Sequence, residues 1–100
     1  MIEMKPIDID GRQVLGIEVK LPKTTLLVIT TDKGYIMCGA LDIALLNERL
    51  SDRNIIAARA VGVRTLEQLL DAPLESVTHT AESMGITSGM TGKEALVKMM

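Results

Sequence analysis

Two short segments, Leu26-Leu27-Val28-Ile29 and Ile36-Met37-Cys38, are apolar at every position instead of at every second one. A strand sends successive side chains to opposite faces, so a run of this kind needs cover on both sides. Ile55 to Val63 repeats the pattern, broken only at Arg59. The chain must therefore build a sheet whose middle is enclosed in two layers. Its 100 residues suffice for one hydrophobic core and no more.

The segments around these runs are punctuated by turns. Asp10-Gly11 between Ile2–Ile9 and Val14–Leu21 is a hairpin signal, because glycine accepts the positive φ of a tight turn. In the second of these strands Leu15, Ile17, Val19 and Leu21 share one face and Glu18 and Lys20 the other, the pattern of a half-buried strand. Pro22-Lys23 turns the chain into Thr24–Thr31, and Asp32-Lys33-Gly34 leads to Tyr35–Ala40. A four-strand antiparallel meander is the simplest arrangement. Leu41–Leu50 then reads as a helix closed by Ser51-Asp52-Arg53-Asn54, and Ile55–Val63 as a fifth strand.

The last third is helical. Thr65 and Gln68 have capping-box spacing, and so do Thr91 and Glu94 ahead of a helix that runs to the C-terminus. Asp71-Ala72-Pro73 ends one short helix and opens another, on which Leu74, Val77, Ala81 and Met84 share a face opposite Glu75, His79 and Glu82. Gly85-Ile86 reads as its Schellman ending. With no break in composition and no repeat, residues 1–100 form a single α+β domain: a β-rich part over 1–40, then a mixed and mainly helical part over 41–100, with its C-terminal helices packed on one face of the sheet.

Composition excludes several function classes. A net charge of -2 offers no general attraction for nucleic acid or anionic lipid. Tyr35 is the only aromatic residue, which removes the stacking platforms of single-strand binders. Cys38 stands alone and cannot form an internal disulfide, the N-terminal segment lacks signal-peptide order, and no apolar run approaches a membrane span. A cytoplasmic protein is expected, with neither nucleic acid nor membrane as partner and no motif calling for a cofactor.

A few short helices can cover one face of this sheet but not both. The apolar face left over exceeds what a soluble monomer tolerates, so a homo-oligomer is expected, with strong curling of the sheet on itself as the alternative.

Several segments are distinctive in combination: Leu21-Pro22-Lys23-Thr24, Gly34-Tyr35-Ile36-Met37-Cys38-Gly39-Ala40-Leu41-Asp42, Ala44-Leu45-Leu46-Asn47-Glu48, Arg59-Ala60-Val61-Gly62-Val63-Arg64-Thr65 and Leu69-Leu70-Asp71-Ala72-Pro73-Leu74-Glu75. Through them the chain resembles the YunC family of small bacterial and archaeal proteins, a domain of unknown function. The resemblance implies an α+β domain whose N-terminal β-region mediates tetramer formation, and it implies no activity.

Few polar positions could carry chemistry. Cys38, followed by Gly39 and a helix start, would have thiolate character favoured by helix amides, but a lone cysteine is more often simply buried. Arg59 interrupts an apolar strand and needs a partner, for which Asp42, Glu48, Glu67 and Asp71 are candidates; with Arg64 it could instead hold an anion. Asp42 complements a helix N-terminus, and Asn47, five residues on, is turned to a somewhat different face. The segment Gly85–Lys93 fails the phosphate-loop pattern at Thr87 and Glu94 and reads as a loop with a helix cap. His79 is the only histidine, without the companions a metal site requires.

A ligand-binding or regulatory oligomer with Gly39, Asp42, Arg59 and Arg64 as site candidates is the favoured reading, the ligand being a small anion. An enzyme with a Cys38 nucleophile and an arginine stabilising an anionic substrate is the alternative, and a structural or interaction module is the third.

Overall fold

A computed structural model describes residues 1–48 and 53–100. Four strands, β1 (Ile2–Ile9), β2 (Arg12–Leu21), β3 (Thr24–Thr30) and β4 (Gly34–Met37), form the expected antiparallel meander. The turns between the first three use left-handed backbone, with φ of 52° at Asp10, 84° at Gly11 and 64° at Lys23. At the third turn the Thr31 hydroxyl accepts the N–H groups of Lys33 and Gly34, at 3.1 and 3.0 Å.

α1 (Ile43–Glu48) lies on the connection to β5 (Ile56–Arg59), which runs parallel to β4. Parallel neighbours need a crossover of this kind, whereas a hairpin would have reversed the strand. After α2 (Leu66–Asp71) comes β6 (Ser76–Val77), antiparallel to β5. α3 (His79–Ser83) and α4 (Gly92–Met99) complete the chain. The sheet has six strands in sequence order, and the fold class is α+β.

The register shows which residues share a face. One row crosses all six strands as Lys5, Gly16, Ile29, Ile36, Ala58 and Val77, and it faces α2, α3 and α4. Beneath these helices Leu27, Ile29 and Ile36 are fully buried with Leu69, Ala81, Ile86, Leu96 and Met99. α4 crosses close to α2 at Gly92, where an added Cβ would run into the Leu69 carbonyl oxygen and stand 2.8 Å from Ile36 Cδ1.

The opposite face is covered at one end only. There α1 lays Ile43 and Leu46 over Ala57, with Tyr35, Leu41 and Ile55 around them. Towards β1 the same face carries Ile2, Val19 and Leu26 in one row and Met4, Ile17, Val28 and Met37 in the next. Ile17, Val19, Leu26, Val28 and Met37 are half-buried there, and Ile2 and Met4 are both 66% exposed. The half-buried strand read around Leu15 to Leu21 thus turns its apolar side away from the helices, leaving Leu15 and Leu21 exposed. No helix among the described residues is long and apolar enough to cross a membrane.

The helix caps follow the sequence closely. Thr91 and Glu94 form the reciprocal capping box. Thr65 accepts from the Gln68 N–H, but the Gln68 side chain reaches one residue further back and accepts from the Arg64 N–H at 2.7 Å. Gly85 (φ 86°) donates to Glu82 and Ile86 donates to Ala81, the two bonds of the Schellman ending.

The helix expected to run from Pro73 to Met84 is the main correction. Pro73 bridges Thr91, the Leu74 N–H donates to the Met90 carbonyl, and Ser76–Val77 is strand. Only His79–Ser83 is helical, opened by Thr78. The spacing of Leu74, Val77 and Ala81 satisfies a helix face, yet a neighbouring strand edge offered the backbone other partners. Smaller differences lie at element ends: β4 stops at Met37, α1 starts at Ile43 and β5 ends at Arg59. Arg49, Leu50, Ser51 and Asp52, at the end of the expected Leu41–Leu50 helix and in its closing turn, lie outside the described residues.

Candidate functional site

Arg59 is the last residue of β5, opposite Met37 on β4 and Ser76 on β6. This register continues the outward row that runs through Met4, Ile17, Val28 and Met37, so the arginine stands where that apolar face meets α1. Its partner is none of the four carboxylates expected from the sequence. Nη1 lies 3.8 Å from Glu75 Oε2, and the Glu75 N–H donates to the Arg59 carbonyl, so the strand pairing itself places Glu75 beside the guanidinium. At 3.8 Å, with both side chains partly exposed, this is a loose pair.

The other edge of the guanidinium turns towards Gly39. A Cβ on Gly39 would stand 3.7 Å from Nη2, 4.0 Å from Nε and 3.6 Å from Val61 Cγ1. Nε is buried and has no hydrogen-bond partner among the described residues. A buried N–H without an acceptor is costly, and for a charged group more so. It is the single such side-chain atom found among the described residues.

Arg59 lines a cleft of about 530 Å³ between α1 and the segment from β6 to α3. Asp42, Asn47 and Glu48 enter from the α1 side, Glu75, His79 and Glu82 from the other. The two walls are tied together, since Asn47 Oδ1 accepts the His79 N–H at 2.9 Å and so also serves the start of α3. Thr78, 3% exposed, holds the same junction from below. Its hydroxyl donates to the Ile55 carbonyl at 2.7 Å and accepts from the N–H groups of Ala57 and Ala81, at 3.2 and 3.3 Å. Asp42 has a local role as well, its Oδ1 accepting the Leu45 N–H at 3.0 Å as a helix cap.

Of the residues singled out in the sequence, Asp42, Asn47, Glu48, Arg59 and His79 line this cleft, and Gly39 lies beside the Arg59 guanidinium but outside the lining. Arg64 is exposed in the loop before α2, away from the cleft lining. Cys38 is also elsewhere. It belongs to the core cluster under α2 and α4, on the opposite side of the sheet from α1, and is 7% exposed. Its Sγ is 3.5 Å from the Leu27 N–H, which donates to it. His79 is exposed at the first position of α3, and no group of three or more metal-ligating side chains exists among the described residues.

Helical spacing puts Glu75 and Glu82 on the solvent face of a continuous helix, and their place in the cleft with Arg59 follows only once Ser76–Val77 is a strand. The signal that could have located Glu75 is its position just before Ser76 and the β-branched pair Val77 and Thr78, able to extend the sheet beside the Arg59 strand.

Three likenesses to known proteins fit this architecture. The chain is 61% identical over 100 residues to the uncharacterized protein YunC of Bacillus subtilis (strain 168), covering 100% of this chain and 99% of that one. The crystal structure of TA1206, a protein of unknown function from Thermoplasma acidophilum, matches with a TM-score of 0.88 at 30% identity, covering 100% of this chain and 94% of that chain. The family described as a domain of unknown function, DUF1805, matches residues 37–99, a span that includes every residue named in the cleft. Through this match and the full-length similarity to YunC, the chain belongs to the DUF1805 family.

Proposed function

We propose that this chain is a ligand-binding subunit of a cytoplasmic homo-oligomer, a tetramer assembled through the outward face of β1, β2 and β3, which takes a small polar ligand in the cleft between α1 and α3. The observation that carries the binding role is Arg59. Its guanidinium has a buried Nε without a partner, a loose contact to one carboxylate, and a place in the wall of a cleft of about 530 Å³. Clefts of roughly 300–1,000 Å³ are the usual size for small-molecule sites. The structural alternative, a guanidinium held as a saturated ion pair, lacks support, because one edge of the group bonds to nothing among the described residues.

The assembly role rests on the two apolar rows Ile2-Val19-Leu26 and Met4-Ile17-Val28-Met37. A face of this kind is satisfied by another copy of itself, and closed symmetric assemblies are the usual result. A cytoplasmic setting agrees with a lone buried thiol. The enzymatic alternative built on Cys38 draws no support from a thiol enclosed in the core.

The binding role is tested by thermal denaturation of wild type and Arg59→Met against a broad panel of metabolites. A ligand of the cleft raises the Tm of wild type and not of the variant. If no compound separates the two proteins, the chain is an assembly module and the binding role is lost.

A further inference from the structure

Resting on the assembly reading above, we infer that two copies of this chain meet sheet face on sheet face across β1 to β4, and that Pro6 keeps the free edge of β1 out of the contact. β1 ends the sheet, so one of its sides has no neighbouring strand among the described residues. Such an edge pairs readily with another chain unless something blunts it. The hydrogen-bond ladder shows which residues form this edge. The Lys20 N–H donates to the Met1 carbonyl at 2.8 Å, and the Met1 amino group donates to the Lys20 carbonyl at 3.2 Å. Bonded and unbonded pairs alternate in an antiparallel ladder, so Glu3, Lys5, Ile7 and Ile9 turn their backbone groups to β2. The two-residue turn at Asp10-Gly11 closes on the Ile9–Arg12 pair and keeps the same phase. Ile2, Met4, Pro6 and Asp8 therefore turn theirs to the free edge.

Proline has no N–H, and the one missing here belongs to the edge and not to the ladder with β2. The gap falls in mid-strand, between Met4 and Asp8. A strand added along this edge would leave the carbonyl opposite Pro6 without a donor. The outward face is different in kind. Over β1 to β4 its rows are Ile2-Val19-Leu26, Met4-Ile17-Val28-Met37 and Pro6-Leu15-Thr30-Tyr35, and none of these side chains is charged at neutral pH. Ile2, Met4 and Leu15 are among the exposed large apolar residues of the chain. A second copy brings the same uncharged rows, so like meets like without setting equal charges against each other. A partner chosen by its charge would find nothing to pair with here, because Glu3, Lys5, Glu18 and Lys20 lie on the helix side.

The experiment combines amide hydrogen exchange on the wild-type protein with sedimentation velocity on wild type and two variants. In wild type the N–H groups of Met4 and Asp8 should exchange at least about tenfold faster than those of Lys5 and Ile7, which are bonded to β2. Equal protection of all four means that the edge is paired, and overturns the inference. Asp8→Pro removes a second edge donor without touching the ladder to β2, and should sediment as wild type does. If it dissociates with native circular dichroism, the edge carries the contact; the inference is overturned and the assembly reading stands. Pro6→Val restores the missing donor, and should add species larger than the wild-type oligomer that grow with concentration. A distribution indistinguishable from wild type overturns the part given to Pro6. A monomeric wild type ends the assembly reading and this inference with it.

Discussion

At β4 and β5 the sheet is enclosed on both sides, by α1 over Ala57 and by the later helices over Ile36 and Ala58. Over residues 2–5 of β1 and 17–20 of β2 the polarity is reversed, whereas Ile9 and Val14 at the other end of the hairpin are buried in the helix-side core. The side facing the helices carries Glu3, Lys5, Glu18 and Lys20, joined by loose ion pairs of 3.9 to 4.0 Å, while the side facing away carries Ile2, Met4, Ile17 and Val19. In an isolated domain this placement wastes the apolar residues. The proposed subunit contact accounts for it: the helices do not reach the far end of the sheet, so charges are harmless there, and the outward side is where another copy is expected. On this proposal the two halves have separate tasks, assembly in the N-terminal strands and binding in the cleft beyond them.

Adjacent residues on β3 allow this contrast to be broken or sharpened. Ile29 is fully buried under the helices and Val28 points to the outward face. Ile29→Ala should cost about 2–5 kcal/mol in urea denaturation, at any protein concentration. Val28→Ala should lower the Tm by an amount that shrinks on dilution if the contact it weakens is the proposed one between chains. A gap that stays constant over a wide concentration range would remove the distinction between the two faces.

Smaller effects are expected at the junction that supports the cleft. Thr78→Ala removes an acceptor shared by two N–H groups and a donor to Ile55, and should cost about 2 kcal/mol by chemical denaturation. It should also weaken ligand binding, since Thr78 ties the start of α3 to β5. Thr91→Ala breaks the capping box of α4 at a residue that does not line the cleft, and should cost about 1 kcal/mol with binding unchanged. Equal effects of the two on binding would show that the junction has no special bearing on the site.

What could be read from the sequence was what is decided locally. The Asp10-Gly11 turn, the Thr91 capping box and the Gly85-Ile86 helix ending each depend on a few consecutive residues, and each stands as read. The doubly apolar runs also announced strands needing two layers of cover, which β4 and β5 have. Ser76–Val77 was hidden because its strand pairing depends on Ala58 and Arg59, far away in the chain, while Leu74, Val77, Ala81 and Met84 happen to keep helical spacing. The site shared this difficulty. Arg59 could be picked out as a charge in an apolar strand, and Gly39 and Asp42 as neighbours of a helix start, but their meeting depends on the parallel crossover from β4 to β5. Glu75 reaches Arg59 only through a strand whose apolar spacing fits a helix equally well. Cys38 drew notice for its place in the sequence, yet strand alternation turned it to the opposite side of the sheet.

The division of labour between the two halves is tested most directly by sedimentation velocity on wild type and Ile17→Glu, with circular dichroism to follow folding. Ile17 lies mid-strand on the outward face, clear of the helix-covered core and of the cleft. Wild type should sediment as an oligomer at micromolar concentration, and Ile17→Glu as a monomer with native secondary structure. A monomeric wild type, or an Ile17→Glu oligomer indistinguishable from it, would contradict the assignment of the outward face to assembly.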